Sequence, residues 1–244
     1  MVRATWIASV ALVVSLVASA FVVSRAYVAR GEQPFSHART MDVTGSAKAR
    51  IRSDLALWTI RVAGEGKSLQ EAYQGLDAAV AAVRGFLGER GFGDAALGPI
   101  HTETHYRHDE KGRPTREVQA YELARAFRVS SADVERVSKA AGEVTELLKT
   151  GARVESLAPE FVYTKLGDLK VRMIGEATAN GRERAETIAS GSRCRIGAVK
   201  DARAGVLQIT TPWSTAVSGG GINDTSTIEK DVTAVVHLTF MIER

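Results

Sequence analysis

Apolar residues recur at two different spacings along this 244-residue chain, and these spacings predict its secondary structure. Where apolar and polar residues alternate, we expect strands, because successive side chains of a strand point to opposite faces. The segments with this pattern are 41–50, 54–63, 99–107, 117–129, 153–164, 196–202, 206–210 and 228–242. In strand 54–63 the predicted inner face consists of Ala56, Trp58, Ile60 and Val62. The final strand has the most regular alternation, which runs unbroken from Val232 to Ile242.

Three further segments have the helical period, with apolar residues three and four positions apart. Their predicted bounds are Ser68 to Gly91, Ser131 or Ser130 to Gly151, and Asp168 to Gly191. Each begins with a side chain that can cap a helix, and the first has the capping box Ser68-Leu-Gln-Glu71. The third has small residues on its apolar face, including Gly181, so we expect it to pack close to a sheet. The apolar positions predicted for the helix faces include Leu69, Tyr73, Leu148 and Ile188.

The order of these elements predicts the fold class. Strands and helices do not alternate strictly, which disfavours a doubly wound parallel sheet. We expect an α+β fold, with about three helices packed on a mainly antiparallel sheet and a long hairpin formed by 99–107 and 117–129. Residues 212–227 contain three successive glycines and predict a mobile loop. The long strand 228–242 is the expected assembly edge, because unpaired strand edges recruit other strands.

An apolar segment precedes this body. Residues 6–23 are interrupted only by serines and would extend about 27 Å as a helix, enough for a thin or typical bilayer core. Arg3 lies before the segment, and Ala18-Ser19-Ala20 matches a signal-peptidase site. The segment is therefore predicted to be an uncleaved signal-anchor or a signal peptide that is cleaved near Ala20.

The predicted domain organisation follows from this segment. Residues 1–30 form the signal-anchor or signal peptide, 31–40 a linker with Gly and Pro, and 41–244 the folded domain. We expect export, because the order of charged, apolar and small residues is that of a secretory signal. The domain would then lie in the periplasm, either anchored in the inner membrane through residues 6–23 or soluble after cleavage.

The charge balance excludes one class of partner. The chain has 32 basic and 28 acidic residues and a pI of about 9.3, a value that by itself would indicate nucleic acid. Residues 1–30, however, hold three arginines and no acidic residue. The remaining chain is close to neutral, so we expect no nucleic-acid partner.

Several segments of the body resemble the SIMPL-domain family of bacteria, which includes periplasmic immunogenic and oxidative-stress-defence proteins. These segments are Val43–Ala47 with Arg52–Asp54, Phe86–Phe92, Leu166–Leu169 leading into Ala177–Glu186, and Ile228–Val232. The resemblance covers roughly residues 40–244, and the apolar N-terminal segment together with Leu55–Trp58 is most similar to the membrane-anchored branch of that family. It implies an exported, envelope-associated α+β domain that self-associates. It implies no catalytic residues.

One cluster of polar residues has the chemistry of a metal site. His101, Glu103 and His105 share a face of a predicted strand, and three such N and O ligands suit Zn²⁺ or another divalent ion. On a flat strand His101 and His105 lie about 13 Å apart, so that only a curved strand or a pair of neighbouring residues would reach one ion. The alternative is a solvated strand face that leads into a polar turn.

Cys194 is the second candidate, for a redox role. It is the single cysteine of the chain and lies between Arg193 and Arg195, whose charges favour a thiolate. The alternative is a structural residue of a strand. Trp213 lies in the predicted loop, where it is well placed to contact a partner.

The sequence predicts a protein that is not an enzyme and has no cofactor. No G-x-S-x-G elbow is present, and the glycines 219–221 lack the context of a P-loop. We expect an exported, membrane-anchored protein that acts through self-association or contacts with other envelope proteins, in envelope or oxidative-stress defence. The alternative function is binding of a small ligand or a metal through the segment His101–Glu110.

Overall fold

The computed structural model describes residues 39–243 together with Arg25, so the predicted membrane segment 6–23 lies outside the described residues. The strands are β1 Thr40–Arg52, β2 Leu55–Gly66, β3 Ala96–Leu97, β4 His101–His108, β5 Pro114–Ser131, β6 Arg153–Ser156, β7 Glu160–Val162, β8 Arg195–Ala204, β9 Gln208–Thr210, β10 Ile222–Asn223 and β11 Glu229–Glu243. The helices are α1 Leu69–Glu89, α2 Val134–Glu143 and α3 Leu166–Gly191, with a 3₁₀ helix at Val144–Thr150. The α+β class with mainly antiparallel sheets is confirmed. Within the described residues, no helix combines the length and the apolarity that a bilayer crossing requires.

One sheet has the strand order β1-β11-β9-β10, and β8 also pairs with β11. β8 runs antiparallel to the second half of β11, where Ala204 lies opposite Val236, and β9 runs antiparallel to the first half. The final strand is therefore paired along both edges, and the prediction that it is an assembly edge is wrong. Alternating side chains report the faces of a strand and carry no information about its edges.

The other sheet is built around β2. β2 pairs antiparallel with β5 over its whole length, and β4 and β5 form the predicted long hairpin. The predicted strand 153–164 consists of two short strands, β6 and β7, which lie on either side of Pro159 and both pair with β2. A proline has no N–H for a ladder, which explains this interruption at the sheet edge.

The chain forms two compact units. The described parts of the smaller unit are 39–45, 178–204 and 236–243, and the larger unit comprises Ser46–Ala177 and Gly205–Val235. The core of the larger unit lies between the inner face of β2 and the apolar faces of α1 and α2. It includes the predicted Ala56, Trp58, Ile60 and Val62, with Leu76, Val83, Leu87 and Val137 from the helices.

α1 lies in very close contact with β2. A Cβ atom built on Gly64 would lie 2.1 Å from the carbonyl oxygen of Ala72 and 2.1 Å from the amide nitrogen of Leu76. Glycine is therefore required at this position of β2. The predicted capping box begins the helix, since the Oγ of Ser68 accepts a hydrogen bond from the N–H of Glu71 at 3.2 Å.

The predicted N-termini of the other two helices are wrong. α2 is capped by Asp133, whose carboxylate accepts an N–H from the first turn, because Ser130 and Ser131 belong to β5. α3 begins at Leu166, so Asp168 is an acidic residue of its first turn and not its cap. Four apolar positions predicted for the helix faces are exposed, namely Leu69, Tyr73, Leu148 and Ile188. They border the apolar stripe, where periodicity alone does not separate buried from exposed positions.

In the smaller unit, α3 packs close to its neighbouring strands, as its small residues predicted. A Cβ atom on Gly181 would lie 2.7 Å from Cδ1 of Leu238 and 3.2 Å from Cα of Gly45. The guanidinium of Arg184 donates to the carbonyl oxygen of Thr44 at 3.2 Å.

Candidate functional site

The structure places the three predicted metal ligands on the edge strand β4. His101, Glu103 and His105 lie on one face of it, opposite Ala124, Glu122 and Ala120 of β5. Among residues 39–243, no three His, Cys, Asp or Glu side chains lie close enough together to hold a metal ion. Metal binding at these residues stays a prediction.

Glu122 is the neighbour that sequence reasoning missed. Its carboxylate lies 3.9 Å from Nε2 of His105 and directly faces Glu103 in the strand register. Glu122 also pairs with Arg61 of β2 at 3.1 Å. The guanidinium of Arg61 thus supplies a positive charge beside Glu122 on this face of the sheet.

Cys194 follows the end of α3. Its Sγ lies 3.5 Å from the carbonyl oxygen of Ala189, and the thiol is partly buried. It borders an open pocket with Glu186, Arg193 and Arg195. The two arginines are thus near the thiol, as their sequence positions required, and the redox role stays a prediction.

The strand β8 is open to solvent in the smaller unit. Among the described strands it pairs with β11 alone, and every residue from Ala198 to Ala204 is exposed. Because successive side chains point to opposite faces, both faces of this segment contact solvent. Because no described residue pairs with or covers this edge, it is a template for another strand.

The N–H groups along the open edge of β8 can be identified. The N–H of Gly205, next to the end of β8, donates to the carbonyl oxygen of Val235 at 2.8 Å. The direction of backbone groups alternates along an antiparallel strand. The N–H of Arg203 therefore points to β11, and the N–H of Ala202 points to the open edge.

The second surface is the loop 211–221 of the larger unit, which we call the Trp213 loop. The sequence predicted a mobile loop over 212–227, and the structure holds this segment with three buried side chains. Asp231 accepts the N–H of Trp213 at 3.0 Å, and the amide of Gln208 bonds both the N–H and the carbonyl oxygen of Ser218, at 3.2 and 2.8 Å. Lys230 holds the residues that follow the loop.

The carboxylate of Asp231 holds the Trp213 loop at the backbone of Trp213. This carboxylate is about 2% exposed. Arg50 of β1 donates to both carboxylate oxygens, at 2.8 and 3.2 Å, and Nζ of Lys48 lies 3.2 Å away. The guanidinium of Arg50 also lies over the Trp213 ring, 4.3 Å from its centroid. One buried carboxylate thus fixes the backbone of Trp213 and the cation that stacks on its ring.

These bonds predict an acid-sensitive stability. The hydrogen bonds from Arg50 and from the N–H of Trp213 hold the pKa of Asp231 well below its usual range, against the effect of burial. A lowered pKa stabilises the fold above the unfolded-state value of about 3.9, and this contribution is lost as the pH falls. We expect Asp231→Asn to flatten the decline of the unfolding free energy below about pH 4. Urea titrations between pH 6 and pH 2.5 measure this, and parallel curves for the two proteins would contradict it.

Lys230 and Asp224 form an ion pair that holds the residues after the Trp213 loop. Nζ of Lys230 lies 3.1 Å from Asp224 and donates to the carbonyl oxygen of Thr227. Burial alone would raise the pKa of Asp224, but hydrogen bonds from Ser226, Thr227 and Lys230 outweigh it and keep that pKa below its usual range. The side chain of Lys230 is buried against this carboxylate, so removing either partner leaves the other without its counterion.

The anchored loop displays apolar side chains. Trp213 is 79% exposed and Val217 is 81% exposed. Trp213 also has a φ of 67°, in the left-handed region that aromatic residues rarely adopt. Such strain persists only where the surroundings enforce it, and here the bond to Asp231 does so.

A signal in the sequence could have revealed this loop. The twenty residues 204–223 contain no Asp, Glu, Lys, Arg or His, although a quarter of the chain is charged. Its anchors could not be found in the same way, because Arg50 lies 181 positions before Asp231.

Comparison with protein families decides the assignment. A family model described as SIMPL, protein of unknown function (DUF541), matches residues 41–240. The chain belongs to the SIMPL family. This confirms the family resemblance that the sequence showed. No curated protein matches the SIMPL chain.

Similarities between the SIMPL chain and solved structures are weak. The ligand-free regulatory subunit of aspartate kinase from Thermus thermophilus is 14% identical, with 80% of this chain and 87% of that chain covered and a TM-score of 0.20. A hydrolase from Listeria innocua is also 14% identical, with 80% and 91% covered and a TM-score of 0.20. Neither similarity bears on the function of the SIMPL protein.

Proposed function

We propose that this SIMPL protein is a non-enzymatic, exported protein that is anchored in the inner membrane through residues 6–23. Its periplasmic domain acts by self-association in envelope or oxidative-stress defence. The open edge of β8 is the observation that carries this proposal. Association would pair this edge with another strand and cover its exposed faces.

The sequence of β8 fits selective pairing. Lys200, Asp201 and Arg203 lie on the exposed segment, and charges on an edge strand disfavour pairing with arbitrary strands. Val199 adds an exposed apolar side chain on the same strand. A partner must match both the charges and the apolar position.

The lowered pKa values support a structural use of the acidic residues. Asp54, Asp224 and Asp231 have pKa values below their usual range, and each is held there by hydrogen bonds from neighbouring protein groups, against desolvation. Hydrogen bonds and ion pairs that stabilise a fold shift pKa values in this way without catalysis.

Proline at position 202 tests the role of β8. The substitution Ala202→Pro removes an N–H that points to the open edge and leaves the ladder with β11 intact. We expect the full chain in mild detergent to be oligomeric and the variant to be monomeric, with an unchanged melting temperature. Light scattering after size-exclusion chromatography measures the mass.

The neighbouring residue provides the control. Arg203→Pro removes an N–H that points to β11, so we expect a lower melting temperature from this variant. A monomeric wild-type chain, or an Ala202→Pro variant that remains oligomeric, would contradict the proposal. Crosslinking of the wild-type chain in membranes to a protein of different mass would replace self-association by another envelope partner.

A further inference from the structure

The Trp213 loop has a composition that separates it from the rest of the surface. It lies inside the charge-free stretch 204–223, and its two large apolar side chains, Trp213 and Val217, are almost fully exposed. Exposed apolar side chains are common singly, but here two lie on one loop whose other residues are Ser, Thr, Ala, Gly and Pro. The loop can therefore enter an apolar environment without carrying a charge into it.

The loop is also held in shape before any partner binds. Asp231 fixes Trp213, and Gln208 fixes Ser218 through two hydrogen bonds. Residues whose backbone is already fixed lose less conformational entropy on binding, so more of the free energy of burying their side chains is available as affinity. The left-handed φ of Trp213 indicates that this display is maintained at a cost in strain.

Cations lie directly behind the tryptophan. Arg50 stacks on the tryptophan ring, and Arg50 and Lys48 both pair with the carboxylate of Asp231. These two cations share one carboxylate, and the neighbouring Glu229, which also acts on Arg50, is itself paired with Arg52. Tryptophan with a neighbouring cation suits the headgroup region of a bilayer, where the ring meets the acyl boundary and the cation meets the phosphates.

We propose that the Trp213 loop docks on the surface of a phospholipid bilayer, with Trp213 and Val217 inserted at the headgroup level. This inference rests on the membrane anchoring that we proposed above. Fifteen residues, 24–38, separate the predicted membrane segment from the described domain, and they span at most about 50 Å when extended. The domain thus stays beside the bilayer, and this raises the effective concentration of the lipid surface for the loop.

Two large side chains favour a membrane over a protein partner. A stable protein interface buries about 800 Å² per partner around a central cluster of anchors. The Trp213 loop offers two such side chains among small polar residues, which is little for an interface of that size. Shallow insertion needs a few apolar side chains and a nearby cation, and the loop supplies both.

A fluorescent label at position 217 tests the docking. In the full chain with Cys194→Ser, we place an NBD label on Val217→Cys or, as the matched control, on Val171→Cys, since Val171 is also highly exposed, at 74%. Both proteins are reconstituted into phosphatidylcholine and phosphatidylglycerol vesicles that carry a spin-labelled lipid as quencher. We expect roughly fivefold stronger quenching at 217 than at 171, because inserted groups reach the headgroup and acyl boundary.

A second substitution ties this signal to the tryptophan. We expect Trp213→Ala to reduce the quenching at 217 to the level at 171. Equal quenching at 217 and 171 in the wild-type loop would overturn the proposal. A blue-shifted label at 217 that the lipid quencher does not reach would also overturn it and assign the loop to a protein partner.

The outcomes also separate this inference from the proposed function. Flotation of the vesicles reports the anchor, and a chain that stays off the vesicles contradicts both the anchoring and the docking. A chain that floats without quenching at 217 contradicts the docking alone. Self-association through β8 is measured independently with Ala202→Pro.

Discussion

Gly64→Ala is expected to lower the unfolding free energy of the SIMPL domain by about 3 kcal/mol or more, at the upper end of the range for overpacked cores. The new Cβ would lie 2.1 Å from a backbone oxygen and a backbone nitrogen of α1. Backbone atoms of a helix cannot rotate away as a side chain can. The helix must shift from the sheet, and the contacts of Leu76 and Val83 in the core would be lost with it.

Gly85→Ala provides the matched control, since it is the same change within α1. A Cβ at position 85 meets no heavy atom within 4 Å. Alanine has the higher helix propensity, so we expect a gain of about 0.5 to 1 kcal/mol. Urea unfolding followed by circular dichroism measures both variants. Equal stability of Gly64→Ala and the wild type would show that α1 does not lie as close to β2 as described.

The strands and helices of the larger unit could be predicted because their signals are local. The alternation of Ala56, Trp58, Ile60 and Val62 identifies the buried face of β2 from the sequence alone. The cap at Ser68 is equally local and is confirmed, while the carboxylate of Glu71 accepts from the N–H of Lys67 and not from that of Ser68. In both cases the residues that produce the local structure lie within one short segment of the sequence.

Features that depend on distant segments were not predictable. β11 has the most regular alternation, but β1 pairs with one of its edges and β8 and β9 with the other. The prediction that β11 is an assembly edge was therefore wrong. The guanidinium of Arg125 in β5 donates to the carbonyl oxygen of Gly98, 27 positions earlier, at 3.0 and 2.7 Å. Secondary-structure propensity gives no information about which strands become neighbours or about hydrogen bonds between residues far apart in the sequence.

The Trp213 loop likewise has one feature that is local in the sequence and others that depend on distant segments. Trp213 could be singled out as an aromatic residue in a loop. Its conformation depends on Asp231 and Arg50, from two separate strands. The sequence therefore indicated which side chain is displayed, and only the fold reveals what holds it.

The other large effect is expected at Lys230, whose side chain is buried against Asp224 and Thr227. Lys230→Met keeps most of the side-chain volume and removes the charge. Asp224, whose side chain is 13% exposed, then loses its cation but keeps the hydrogen bonds from Ser226 and Thr227, so we expect a loss of about 3 kcal/mol, at the lower end of the range for breaking a buried pair. Lys170→Met, the same change at an exposed position of α3, should stay within about 0.5 kcal/mol of the wild type.

A double-mutant cycle distinguishes the charge pair from simple packing. In Lys230→Met with Asp224→Asn, no buried charge is left unpaired, and the single amide oxygen can replace one of the two carboxylate oxygens that accept from Ser226 and Thr227. We expect the double variant to be more stable than the sum of the single changes predicts, by about 2 kcal/mol, which is typical of coupled neighbours. Additive losses would mean that Lys230 stabilises the fold through its aliphatic chain. The contact that holds the residues after the Trp213 loop would then be apolar, and Asp224 and Thr227 would keep their positions when the charge is removed.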